Sequence, residues 1–516
     1  MDIREKIGQK LVFGFQGPEI TDEFRAMVRQ YKIGNVILFK HNIVSVPQLQ
    51  SLCRDLQTLI QGETGHPALI TIDQEGGMVS RLPKDAVIVP GSMALAATGD
   101  PRRAYQAARI TARQLRGVGV NFNLAPVLDV NNNPANPVIG VRSFGDQARL
   151  VAEYGVQAVQ GYRDGGVLCC GKHFPGHGDT AVDSHLGLPC IDKSLDALRE
   201  VELLPFRAAI AAGLPAVMSS HILFPQIEPD NVPATMSRRI MHDLLRDELG
   251  FTGLILSDCM VMNAIQVYYG TANGVIAAMK AGVDLVFVSS NAALQWESAA
   301  AALKAGEEGA FDPAELDESV GRILEAKRLC AFTEPEPGLA GQQEDYDTVE
   351  TVTRQAITLV SGQPPRADAQ TFFCGCPDYR ATQVANADPA ATAFPLYMAR
   401  AFGGVGALCG SDPDDEEIAR LVAQAAPCRQ IVAATCNAHL YHGQSRLMAA
   451  LAATGKPMTV VSLRTPYDLP LLPAGVTRIA AWDYTPAVLS ALEEILRGGA
   501  CYGEMPITLP GGDASC

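Results

Sequence analysis

Eight apolar, β-rich runs recur through the first 290 residues, at 10–15, 35–39, 68–73, 120–126, 166–174, 215–221, 253–258 and 283–289. Helical patterns separate them, at 21–32, 46–62, 101–117, 148–165, 195–213, 237–250 and 272–282. Runs that stay hydrophobic without alternating belong to strands covered on both faces, and a helix after each strand implies a parallel sheet. Eight such units predict an N-terminal (β/α)8 TIM-type barrel. An open doubly wound sheet stays possible, because periodicity does not establish closure.

The remaining length calls for a second domain, since 516 residues exceed one ordinary domain. A Pro/Gly-rich stretch, Glu334-Pro335-Glu336-Pro337-Gly338, follows a helical pattern at 312–329 and reads as a linker. The predicted division is a catalytic barrel over 1–333, a linker over 334–347 and a smaller α/β sandwich domain over 348–516. Within the latter a helix is expected at 348–355, strands at 371–375, 430–435, 457–462 and 478–482, and helices at 414–425, 444–455 and 486–497.

A net charge of −15 argues against nucleic acid or anionic membrane as a partner, and leaves a small neutral ligand such as a sugar open. The thirteen cysteines are odd in number, and Cys169, Cys170 and Cys259 sit in strand-like runs, which suits free thiols in a reducing compartment. The first residues, Met1-Asp2-Ile3-Arg4-Glu5-Lys6, open a mixed-charge amphipathic helix rather than a signal peptide. No apolar run is long enough to span a bilayer. The expected location is cytoplasmic.

Chemistry concentrates where the strand-like runs end. Asp73 ends the third, Asp129 follows the fourth, Lys172 and His173 end the fifth, His221 the sixth and Asp258 the seventh. Barrel enzymes assemble their sites from this carboxyl-terminal face. The fifth run continues into Lys172-His173-Phe174-Pro175-Gly176-His177-Gly178-Asp179-Thr180-Ala181-Val182-Asp183-Ser184-His185. Within it, Asp183 beside His185 can orient an imidazole and stabilise its cation, as in hydrolase triads; a solvated loop with a surface histidine is the plainer alternative. The same residues are also of types that bind zinc or iron, but Pro175, Gly176 and Gly178 disfavour the helix that would present them together. The reading adopted is no metal and no cofactor. Asp258 closes a run too apolar to end in a charge idly, and a carboxylate there can attack an electrophilic carbon, form an ion pair or bind a metal. Asp73 has the same character, and the Gly76-Gly77 pair after it would let backbone approach a ligand. Arg81, Arg142 and Lys172 are either supports for these carboxylates or substrate contacts.

These segments resemble the β-N-acetylglucosaminidase branch of glycoside hydrolase family 3. Residues 172–185 are similar to its KHFPGHGxxxxDSH signature. Ile72-Asp73-Gln74-Glu75-Gly76-Gly77-Met78-Val79-Ser80-Arg81-Leu82, Ala125-Pro126-Val127-Leu128-Asp129-Val130, Ile139-Gly140-Val141-Arg142-Ser143-Phe144 and Ser257-Asp258-Cys259-Met260-Val261-Met262 follow in family order. Leu463-Arg464-Thr465-Pro466-Tyr467-Asp468-Leu469 and Gly503-Glu504-Met505-Pro506 resemble the family's second domain. The resemblance implies a retaining exo-β-N-acetylglucosaminidase acting on amino-sugar or muropeptide fragments. It implies Asp258 as nucleophile, His185 as acid/base oriented by Asp183, and Asp73, Arg81, Asp129, Arg142, Lys172, His173 and Met262 around the sugar. His177 and His221 are further candidates, the glycines around His177 suggest a loop that opens and closes, and Cys259 stands where the family often has an acid. Competing readings are a phosphorylase, a β-glucosidase (a branch that usually lacks the histidine loop) and a sugar-binding sensor without catalysis. Oligomeric state is not legible.

Overall fold

The computed structural model describes residues 1–181, 187–330, 335–376 and 393–510. In the first half the apolar runs become nine short strands: β1 Leu11–Phe13, β2 Asn35–Leu38, β3 Leu69–Ile72, β4 Phe122–Asn123, β5 Leu168–Cys169, β6 Gly171–Phe174, β7 Ala216–Ser219, β8 Leu254–Leu256 and β9 Val286–Val288. All pair in parallel. Nearly every strand residue is buried whichever way it points, as continuous hydrophobicity requires.

Helices between the strands follow from local signals. In Val46–Thr64, Ser45 accepts the Gln48 N–H, Pro47 lies in the first turn, and Gly65 at φ 74° ends the helix. Its Leu49, Leu52, Leu56 and Ile60 form one stripe against the sheet. The expected helix at 195–213 is instead two, Leu195–Glu200 and Leu203–Ala211. Pro205, near the start of the second, lacks the N–H that would have continued the first.

Among the described strands the expected eight-stranded barrel is not seen to close. The described strands form two open parallel sheets, ordered β5-β4-β3-β2-β1-β9 and β6-β7-β8. The fifth run breaks at Cys170, whose N–H turns to the Ala125 carbonyl (2.8 Å). Pro126 ends β4 early because it has no N–H to give, so a lone bridge, Val127 to Lys172, links this segment to β6. Between β8 and β9 there is likewise one bridge, Leu256 to Leu285. There the Asp284 and Leu285 N–H groups share the Ile255 carbonyl (2.8 and 3.1 Å), which spoils a regular ladder.

The second half holds β10 Thr358–Ser361, β11 Thr371–Gly375, β12 Val405–Leu408, β13 Gln430–Thr435, β14 Met458–Ser462 and β15 Thr477–Ala480. They form one sheet, ordered β10-β15-β14-β13-β11-β12, with β10 alone antiparallel. Sequence reading anticipates the four inner strands and misses the edges β10 and β12, whose partly exposed residues do not make continuous apolar runs. The helix expected at 348–355 begins earlier, spanning Gln343–Ala356. Its first turn is polar and carries no periodicity, and it is anchored by Asp345, which accepts from Arg113 and from Gln114 Nε2 (3.0 Å).

The two halves share buried surface. Val349 and Val352 belong to the first hydrophobic core. Met78, Val79, Met93 and Val141 pack with Trp482, Leu463 and Tyr467 in the second. Among the described residues no helix is long and apolar enough to cross a membrane.

Candidate active site

A parallel sheet aims the carboxyl ends of its strands the same way, so residues in β6 and residues that follow β3 and β8 meet at one end. They line a cavity of about 320 Å³ that includes Asp73, Arg81, Arg142, Lys172, His173, His177, Asp258 and Met262. Pockets of this size suit a small ligand held by a few placed polar groups.

One wall is a buried four-charge knot. Lys172 Nζ donates to Asp73 Oδ1 (2.9 Å) and lies 2.7 Å from Glu75 Oε1. Arg142 holds both Glu75 oxygens in a fork, Nε to Oε2 at 2.9 Å and Nη2 to Oε1 at 2.8 Å. Burial pushes the Glu75 carboxyl up, but Arg142 and Lys172 outweigh it and hold it well below the usual carboxylate range. For Lys172, burial works downward and the charges of Asp73 and Glu75 prevail, raising its pKa. Two cations offset two carboxylates, which makes the burial tolerable. Lys172→Met removes one cation from this balance, and the expected result is a loss of about 3–5 kcal/mol in unfolding free energy. Chemical denaturation would measure it.

A second wall is organised by Asp129. Its side chain does not face the cavity. Oδ2 accepts from His173 Nδ1 (2.7 Å), while Oδ1 accepts the N–H groups of His173 (3.1 Å) and His177 (2.7 Å). Burial raises the Asp129 pKa, and His173 with these bonds brings it below normal. With Nδ1 given to Asp129, His173 presents Nε2 on its cavity side. Sequence reading places Asp129 around the sugar; the fold places it behind the histidines.

His177 Nδ1 meets Thr180 Oγ1 (3.0 Å), a hydroxyl that itself donates to the His177 carbonyl (3.2 Å). Burial pulls His177 down to about 4, with His173 acting the same way and Asp129 opposing. The unfolded imidazole titrates near 6.5, so below that pH the unfolded chain binds a proton that the folded chain refuses. Stability from this group is therefore complete above about pH 6.5 and lost as pH falls toward 4. Calorimetry should show Tm falling across that window, and His177→Gln should flatten the fall.

The glycines here also allow close packing of backbone and side chains. A Cβ on Gly178 would lie 1.6 Å from the Val130 carbonyl oxygen, so only glycine lets these backbones meet. Gly77, at φ 53°, faces Asp483 Oδ2 of the second half, which a Cβ would meet at 2.7 Å.

Asp258 follows β8, with Oδ1 accepting the Cys259 N–H at 2.7 Å. The Cys259 thiol contacts Ser289 Oγ (2.7 Å), and its pKa is raised by burial. His221 lies outside the cavity lining. Its Nε2 meets the Cys259 carbonyl (3.0 Å) and its Nδ1 meets Thr235 Oγ1 (2.9 Å), so it steadies the turn after Asp258. Asp183 and His185 lie outside the described residues.

Some supporting residues escape sequence reading. Glu75 sits in the same block as Asp73, and two acids two residues apart were a usable signal. Asn136 lies in an Asn/Pro stretch that reads as a plain turn. Its Nδ2 donates to the carbonyls of His177 (2.8 Å) and Gly178 (2.9 Å), fastening the start of the histidine loop. The second half braces the same stretch. Asn131 Nδ2 donates to Tyr467 Oη (2.9 Å), and His439 Nε2 to the Pro134 carbonyl (3.1 Å).

Comparison with known proteins follows the same lines. Residues 2–326 match the family model described as the glycosyl hydrolase family 3 N terminal domain. Beta-hexosaminidase A of Pseudoalteromonas piscicida is 38% identical over 285 residues, covering 52% of this chain and 48% of that protein, so the chain spans about half the length of that relative. The beta-hexosaminidase of Thiobacillus denitrificans is 36% identical over 287 residues, covering 54% of this chain and 78% of its own. The solved structure of a glycoside hydrolase family 3 beta-N-acetylglucosaminidase from Paenibacillus sp. str. FPU-7 superposes with a TM-score of 0.93 at 38% identity, covering 99% of each chain. A beta-glucoside phosphorylase shares the fold, with a TM-score of 0.82 at 21% identity, over 98% of this chain and 94% of its own. The cavity, the order of its residues along the chain and the match across residues 2–326 agree: this chain belongs to glycosyl hydrolase family 3.

Proposed function

We propose that the chain is a retaining exo-β-N-acetylglucosaminidase that removes terminal β-linked N-acetylglucosamine from amino-sugar or muropeptide fragments. The observation that carries this is the position of Asp258 in one cavity with Asp73, Arg142, Lys172 and His173. A polyhydroxylated ring needs many charge-assisted hydrogen bonds, and this lining supplies them. The names of its relatives and of its Paenibacillus structural neighbour support the hexosaminide over the glucoside.

In the proposed reaction the Asp258 carboxylate attacks the anomeric carbon while His185, as the imidazolium, gives its proton to the departing glycosidic oxygen. The C–O bond to the leaving group breaks as the ester to Asp258 forms. Neutral His185 then takes a proton from water as that water attacks the ester, which frees the sugar and restores both groups. Retaining enzymes commonly use two carboxyls about 5–5.5 Å apart. A histidine donor departs from that pattern, but its ordinary pKa of about 6.5 suits proton exchange near neutrality. Asp183 favours the imidazolium.

The two sheets of the first half are read as one (β/α)8 wall. Both bridges support this, as do the Ser257 N–H to Leu285 carbonyl (2.9 Å) and Met260 N–H to Phe287 carbonyl (2.8 Å) bonds between the segments of β8 and β9.

Kinetics on paired aryl N-acetyl-β-glucosaminide and aryl β-glucoside, with and without inorganic phosphate, test the reading. Hydrolysis favouring the N-acetyl sugar by at least tenfold is expected. Preference for the glucoside, or a sugar phosphate as main product, would replace it with one of the competing activities.

A further inference from the structure

A second cavity, of about 250 Å³, lies at the opposite end of the first-half strands. Its residues precede strands instead of following them: Lys10 comes just before β1, Gly282 before β9, and Arg246 Nη1 donates to the Phe251 (3.0 Å) and Gly253 (2.5 Å) carbonyls before β8. This end is separate from the proposed chemistry.

Its inner wall holds more positive than negative charge. Arg246 Nη2 reaches Asp284 Oδ2 (2.6 Å), and Arg322 reaches Oδ1 through Nη2 (3.0 Å) and Nε (3.2 Å). Asp284 also accepts from Ser319 Oγ (2.7 Å) and the Ile255 N–H (2.9 Å), which leaves it little capacity. Lys10, 2% exposed, donates to the Val283 carbonyl (2.9 Å) and to Ser319 Oγ, both neutral acceptors. Three cations thus share one buried carboxylate. Burial draws the Lys10 pKa down to about 8; Asp284 opposes this, while Arg322 and Arg246 add to it.

The carboxylates at the rim, Asp312, Glu315 and Glu318, are all exposed, so solvent screens them from the buried cations. Glu315 pairs with Arg238 (2.7 Å), Asp312 caps the helix Pro313–Leu329, and Glu318 is exposed. His242 sits between Asp243 (3.4 Å) and Asp247 (3.3 Å), and Lys280 adds a further exposed cation. Uncompensated buried charge is costly, and a bound anion removes that cost. We propose that this cavity binds a compact oxyanion, inorganic phosphate or a phosphomonoester, between Lys10, Arg246 and Arg322. Guanidinium forks suit phosphate oxygens, and the ammonium adds a point charge.

Calorimetric titration of the full chain at pH 7 and constant ionic strength tests this, with inorganic phosphate and glucose 6-phosphate as separate probes and saturating N-acetylglucosamine present to occupy the other cavity. Saturable binding is expected, at least tenfold weaker in Lys10→Met and Arg322→Gln, since each removes one charge-assisted contact. Arg322 is partly exposed, so its variant serves if Lys10→Met does not fold. Wild-type affinity should also fall above about pH 8, where Lys10 loses its proton. Tighter binding of glucose 6-phosphate identifies a phosphomonoester site, and tighter binding of phosphate a free-anion site. Absence of binding by both probes, unchanged affinity in a folded variant, or loss of binding when the sugar is added would overturn the proposal.

Discussion

Asp258→Ala is expected to lose turnover by a factor on the order of 10⁴ or more while the chain stays folded, because a covalent route has no substitute for its nucleophile. The side chain is partly exposed, so its truncation removes little buried packing. A 2-fluoro or 5-fluoro glycosyl reagent should label the peptide that carries Asp258, read by mass spectrometry. A label on Asp73 or Glu75 would move the nucleophile to the Lys172 knot. Asp73 is the nearer rival, since its side chain is 17% exposed against 4% for Glu75.

The second large effect concerns His185. General acid assistance contributes typically about 10²–10⁴-fold, and most where the leaving group is poor. His185→Ala should therefore slow hydrolysis of a natural disaccharide by about that factor while sparing a dinitrophenyl glycoside, for which azide restores turnover of the glycosyl-enzyme. Asp183→Asn keeps the shape but removes the charge that favours the imidazolium, so the basic limb of the pH profile should shift to lower pH. Equal losses across leaving groups would instead assign His185 to substrate positioning.

Much of the site was legible because its residues lie beside strand ends, and strand ends can be read locally. Asp73, Lys172, His173 and Asp258 each follow a continuous apolar run, and a parallel sheet carries all four to one side. Their division of labour was not legible. Asp129 and Lys172 look alike in sequence, each a charge after a buried run, yet one backs two histidines and the other lines the cavity. The Gly76-Gly77 and Gly176–Gly178 glycines read as freedom for a ligand or a moving loop. Gly178 also meets the Val130 carbonyl and Gly77 meets Asp483, close neighbours that no local pattern names.

By itself, then, the sequence determined the alternation of buried strands and helices, and the end of the sheet at which ionisable groups collect. Both follow from short-range periodicity and from the cost of ending an apolar run in a charge. Tertiary structure alone decided which charges neutralise each other and how regular the strand ladder is. Lys172 finds Glu75, and Asn131 finds Tyr467 across the two halves, because chain folding brings together groups hundreds of residues apart or in separate strands. Burial then favours those pairs, since an unmatched charge or hydrogen-bonding group inside is costly.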